Sequence, residues 1–156
     1  MSTAQHLATI DLLCSREFSA EHSRSGAVAG GPGYYIAELL TSEEFWEDDG
    51  SRWEAVAEQY EAERDGLSAL LTGRWGAPGV FSLASVFSRM LTDWDEVTGE
   101  EIPAEEIPEP WSSLSSAAPD VHLWRAAGRW VALAVAQWDK ELPFQLLAVV
   151  TETDPP

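Results

Sequence analysis

VHLWRAAGRWVALAVAQWDKELPFQLLAVVT, residues Val121 to Thr151, decides how this chain folds. Three runs rich in Val, Leu, Trp and Phe lie within it: Val121 to Arg125, Trp130 to Trp138 and Phe144 to Thr151. Each reads as a strand, because bulky and β-branched side chains suit a pleated, covered surface. Ala126-Ala127-Gly128 joins the first pair, and Asp139-Lys140-Glu141-Leu142-Pro143 joins the second. On the middle run Trp130, Ala132, Ala134, Ala136 and Trp138 fall on one face, and Val131, Leu133 and Val135 on the other. Both faces are apolar, so this is a central strand covered on each side. The expected fold class is α+β, with a C-terminal three-stranded antiparallel meander packed against helices.

Upstream of the meander the period changes. Val80 to Thr92 puts Val80, Leu83, Phe87, Met90 and Leu91 at helical spacing, with Ser82 as its N-cap. Gly73 to Gly79 (GRWGAPG) ends a longer helix that opens at the Ser51-x-x-Glu54 capping box. That helix carries an apolar stripe through Trp53, Val56, Ala57, Tyr60, Leu67, Leu70 and Leu71. Glu54, Glu58, Glu61 and Asp65 stack on another of its faces, with Arg64 alone placed to relieve Glu61. A second capping box, Thr41-x-x-Glu44, predicts a short helix through Trp46. Tyr34 to Leu40 suits a short strand or the first turns of a helix, and Gln5 to Glu21 a further helix. His22 to Gly33 reads as a flexible small-residue loop. Asp93 to Pro110 reads as an exposed acidic loop stiffened by Pro103, Pro108 and Pro110; its two EEIP copies are too short for a structural repeat.

The 156 residues carry 27 acids against nine Lys and Arg, a formal charge of −18. With 45% hydrophobic residues the composition is that of a globular chain, and a single domain over 1–156 is expected. The imbalance is local: Tyr34 to Gly66 and Met90 to Asp120 each have a net charge of −9, and the remainder is neutral. Cys14 has no second cysteine to pair with, as in a reducing compartment. Met1 to Ser15 lacks the basic and apolar regions of a secretory signal. The longest purely apolar run, Trp130 to Ala136, is far shorter than the ~20 residues of a membrane span. A cytoplasmic protein, with no membrane association, is the expectation. Eight arginines to one lysine (Lys140), with many alanines, point to a bacterial source with a GC-rich genome.

Few patterns carry chemistry. His6, His22 and His122 are far apart and lie in no zinc-binding spacing. Asp93-x-Asp95 starts like a calcium loop but fails at Val97, Gly99 and Ala104. No metal or cofactor is expected. There is no nucleophile elbow, and Cys14 beside Arg16 suits a half-buried inert thiol better than an activated one. The glycines of 22–33 lack the spacing and the lysine of a phosphate cradle. Direct nucleic-acid binding needs clustered cations that this chain does not have. Its acids could instead imitate nucleic acid toward a protein that binds it. Carboxylates are so numerous that no catalytic pair stands out, and an enzyme is the third reading.

Eight tryptophans remain to be placed. Trp53, Trp124 and Trp130 fall in periodic elements and belong to a core, whereas Trp46, Trp94 and Trp111 stand within or beside acidic segments. An aromatic ringed by carboxylates has the makeup of an interface anchor with a charged rim. The candidate partner-binding residues are therefore Glu43, Glu44, Trp46, Glu47, Asp48, Asp49, Trp94, Glu100, Glu101, Glu105, Glu106, Glu109 and Trp111.

The stretch LWRAAGRWVALAVAQWDKELPFQL (Leu123 to Leu146), with GRWGAP upstream, resembles small acidic bacterial proteins of unknown function. In size and acidity the chain is also similar in type to immunity proteins, a likeness that carries no site residues. It implies a non-enzymatic domain that occludes a basic partner such as a toxin, nucleases included. The alternative is a structural or adaptor subunit of a larger assembly.

Overall fold

A computed structural model describes residues 3–45 and 50–156. Helix α1 (Thr3–Ser15) leads into strands β1 (Ser23–Ser25), β2 (Val28–Gly31) and β3 (Tyr34–Thr41). The long helix α2 (Ser51–Trp75) is followed by β4 (Gly79–Ser82) and α3 (Leu83–Arg89). A small hairpin, β5 (Asp93–Trp94) and β6 (Glu101–Ile102), precedes helix α4 (Trp111–Ser115). The chain closes with β7 (Asp120–Ala126), β8 (Arg129–Ala136) and β9 (Gln145–Thr151). Seven strands form one antiparallel sheet in the order β1-β2-β3-β9-β8-β7-β4, and β5-β6 stand apart from it.

The C-terminal meander forms as its alternation requires, with Leu133 opposite Ala148 and Ala132 opposite Leu123. Val131 and Leu133 face one core cluster, with Ile10 and Leu13 of α1 and Tyr60, Leu67 and Leu71 of α2. Ala132, Ala134 and Ala136 face the other, with Leu83 of α3 and Trp111 and Leu114 of α4. A fully buried side chain such as Leu133 stabilises the fold by about 1.5–3 kcal/mol. The small alanines let the short helices α3 and α4 lie close on their face.

Other segments depart from the sequence reading. His22 to Gly33 is mostly the β1–β2 hairpin, and its glycines have a packing reason. A Cβ at Gly31 would lie 2.5 Å from the Tyr34 ring, and one at Gly30 3.1 Å from Tyr35. Small residues that suggest a loop are thus the room that β3's aromatics need. Tyr34 to Leu40 takes the strand alternative. Ser42 to Phe45 is not helical: the Ser42 and Phe45 N–H groups donate to the Phe144 and Glu141 carbonyls, which holds the segment against the β8–β9 connection. Trp46, the end of that expected helix, lies outside the described residues.

Helix α2 starts where expected but runs through Gly73 to Trp75, because Trp75 packs edge-on against Trp124 at 6.2 Å. Gly76, at φ 87°, then ends it in a conformation that glycine adopts without strain. Val80 and Phe81 are strand rather than helix, since they pair with His122 and Val121 of β7. Ser82 does cap α3, its hydroxyl accepting from the Ser85 N–H. The acidic 93–110 segment is mostly exposed but contains the β5–β6 hairpin, closed by Asp95 accepting from the Val97 and Thr98 N–H groups. No helix among the described residues is long and apolar enough to cross a membrane.

Candidate functional site

Arginine neutralises only part of the acidity. Arg24 pairs with Glu38, Arg74 with Asp11 and Arg89 with Glu105, at 2.8, 2.7 and 2.8 Å. Arg64 reaches Asp65 and Asp120, and Arg52 is 3.9 Å from Glu43. Arg129 is used inside, stacking on Phe18 and donating to the Leu13 carbonyl. Among the described residues, two groups of acids without an arginine stand close together in sequence: those of the β5–β6 hairpin, and Glu54, Glu58 and Glu61 on one flank of α2.

The hairpin is the denser of the two. Residues 93–102 hold five acids (Asp93, Asp95, Glu96, Glu100, Glu101) and no base. Among those acids, Trp94 is 62% exposed, Val97 94% and Ile102 48%. An isolated two-stranded ribbon buries little of its own surface, so these apolar groups face solvent, and just past the ribbon Glu105 ties the chain to Arg89 at the end of α3. Val97 and Ile102 were not singled out from sequence; an apolar residue between acids in a short hairpin was the available signal.

The remaining expected site residues divide. Glu101 pairs with Trp94 across the hairpin and Glu100 precedes it, both exposed; Glu106 is exposed past the hairpin, and Glu105 is held by Arg89. Glu109 accepts from the Ser113 N–H and hydroxyl. It lies near Tyr34, whose phenol is pushed up by burial and secondarily by that carboxylate. Glu43 and Glu44 lie just past Thr41, at the far end of β3, and Phe45 beside them packs into the α1–α2 layer. Glu109 is thus near the Tyr34 end of β3 and Glu43 lies past its Thr41 end, with seven steps of ~3.3 Å, about 23 Å of strand, between those ends. Ile107 packs with the α3–α4 layer instead, so the expected site acids Glu43 and Glu44 do not meet those of 105–109 in one patch, although Glu38, beside Ile36, and Asp120, on Arg64, cross this division. Trp46, Glu47, Asp48 and Asp49 lie outside the described residues.

Trp111 corrects an expectation. Its ring is fully buried, edge-on to Phe81 at 5.9 Å, and its indole N–H donates to the Thr153 carbonyl at 3.1 Å. It therefore belongs to the core and cannot anchor a partner. Trp124 is a core residue, as expected. Trp53 is more open than expected, 37% exposed with its indole on Gln137, and Trp130 is half-buried with its N–H on Asp154.

Titratable groups inside the fold are structural in setting. His122 Nδ1 lies 2.9 Å from the buried Ser68 hydroxyl, a contact no motif announced. Burial, helped by Arg64, holds this imidazole below its usual value. His6 is 3% exposed and likewise lowered by burial, and among the described residues its Nε2 has no hydrogen-bond partner. Burial and Asp11 push the Cys14 thiol up, opposite to activation by Arg16. Among the described residues no three His, Cys, Asp or Glu side chains gather as a metal site. Three surface grooves, of about 290, 230 and 440 Å³, each contain a single carboxylate: Glu43, Glu38 and Glu63. Against this geometry, no known protein family, curated protein or solved structure matches the chain.

Proposed function

We propose that this is a non-enzymatic acidic protein-binding domain that occludes a basic partner, in the manner of an immunity protein or antitoxin covering a cationic toxin. One observation carries the reading: the β5–β6 hairpin presents Trp94, Val97 and Ile102 to solvent inside a rim of five acids without a base. An exposed aromatic with a charged border supplies the two components of a tight interface, an anchor to be desolvated and a field that steers encounter. Maintaining −18 on a small fold costs self-repulsion, which a cationic surface relieves on binding. A toxin that grips nucleic acid has such a surface, and occluding it requires no chemistry from the inhibitor. The partner-binding residues on this reading are Trp94, Glu100, Glu101 and Glu106, with Val97 and Ile102 added.

Charge reversal tests it. Glu100→Lys, Glu101→Lys and Glu106→Lys together should leave the fold intact, since all three are exposed and none holds an arginine. Association with the basic partner should slow at least about tenfold. Unchanged binding would favour an adaptor role through other surfaces.

A further inference from the structure

We infer that β4 is a docking edge, and that an extended, basic segment of the partner joins the sheet there as an added strand. The inference rests on the basic-partner reading and adds a second contact to it. Strand β4 ends the sheet, and among the described residues β7 is its one strand neighbour. Edge strands usually carry a charge, a proline or a bulge against adventitious pairing. The outer strand at the opposite end has Arg24, but β4 reads Gly-Val-Phe-Ser and leaves Val80 70% exposed.

Helix α2 gives this edge its charge. Arg64 reaches Asp120 at 3.8 Å, Ser68 bonds His122 at 2.9 Å, and Trp124 donates to the Gly76 carbonyl at 2.9 Å. These three ties lay one flank of α2 along β7. Asp120 is paired with Ser82 and His122 with Val80, so β4 lies directly outside that flank. At 100° per residue, Glu61 and Asp65 follow Arg64 and Ser68 around the helix on this side, with Glu54 and Glu58 in the same row. The opposite flank turns toward α1, where Arg74 holds Asp11. Val80 shares the sheet face of His122, so it points to the α2 side level with Ser68, and the acidic row begins beside it at Asp65 and runs on past the Ser82 end of β4 through Glu61.

The occupant follows from these features. A strand added to β4 would lie ~4.8 Å further out, with alternate side chains directed to the helix layer ~10 Å above. Lysine or arginine at the position nearest Ser82 spans the gap to Glu61, whose neighbours Asp65 and Asp120 are already held by Arg64. A second copy of the chain would instead set like charges against one another.

The test uses the ¹⁵N-labelled full chain at low salt. The probe is an acetylated, amidated octapeptide of alternating lysine and valine. Controls are the same peptide methylated at alternate backbone nitrogens, and octalysine. The expected result is that the alternating peptide shifts the Gly79 to Ser82 amides and slows their exchange at least about tenfold, and that backbone methylation abolishes both effects. Val80→Lys, at an exposed position, should weaken binding about tenfold, as should Glu61→Lys. Changes confined to residues 93–102 would overturn the docking edge and leave the hairpin reading standing. Equal binding at β4 by the methylated peptide would also overturn it, as charge without strand addition. No response to any of the cationic probes would overturn both.

Discussion

Replacing Trp111 and Trp94 by alanine, one at a time, separates a tryptophan that holds the fold from one that meets a partner. Trp111 is fully enclosed between α4, Phe81 and the sheet. Removing a large buried aromatic costs about 3–5 kcal/mol through lost transfer energy and the cavity left behind. The hydrogen bond to the Thr153 carbonyl adds at most about 1 kcal/mol, since that acceptor is near water. Against a typical total of about 5–15 kcal/mol, Trp111→Ala should lower the urea midpoint strongly and Tm by roughly 6–24 °C. Trp94, 62% exposed, should change stability by less than about 0.5 kcal/mol. The same substitution should weaken binding of the basic partner by about 2 kcal/mol, close to thirtyfold. Urea denaturation and calorimetric titration read the two quantities separately. A Trp111→Ala protein as stable as the parent, or a Trp94→Ala protein destabilised by more than about 2 kcal/mol, would refute the assignment of inside and outside.

Burial holds His6 and His122 below their ordinary 6.5, so the unfolded chain takes up these protons first as pH falls. Stability should therefore decline below about pH 7 and level off beneath the folded values, by at most about 1.4 kcal/mol per group per pH unit. The groups facing them are the Leu39 carbonyl and Glu63 for His6, and Arg64, Asp65, Asp120 and Ser68 for His122. In the double variant His6→Gln, His122→Gln, the difference between urea midpoints at pH 7.5 and 5.5 should shrink; an unchanged difference would contradict the buried, neutral state. Ala127 and Gly128 form the β7–β8 turn at φ 52° and 75°. Ala127→Asn, a residue better suited to positive φ, should raise stability by up to about 1 kcal/mol in the same assay, and a loss would contradict the turn geometry.

The sheet's centre was legible because its signal is dense. Alternation along Trp130 to Trp138, with turn residues on both sides, permits few other arrangements, and the meander forms as read. The outer strands were less legible, because their pattern depends on neighbours distant in sequence. Gly30 and Gly31 look like loop residues until the Tyr34 and Tyr35 rings lie against them, and Val80 and Phe81 fit a helix until β7 pairs with them. Trp111 shows the limit for the site. Its surroundings in sequence are acids and prolines, yet Pro110 starts a helix there whose inward face carries the ring into the core. Sequence neighbours report local polarity, whereas exposure is set by which side of a turn faces the sheet. Trp94 differs only in standing on a ribbon that has no sheet to face.

The most direct measurement is the association rate of the basic partner, isolated by affinity capture on the native chain, as a function of ionic strength, for the native chain and for Trp94→Ala with Glu100→Lys and Glu101→Lys. The account predicts a native rate approaching about 10⁸ M⁻¹s⁻¹ at low salt that falls steeply as salt screens the hairpin, and a variant rate that is slow and nearly flat. A native rate indifferent to salt, or a variant that matches the native chain, would contradict it.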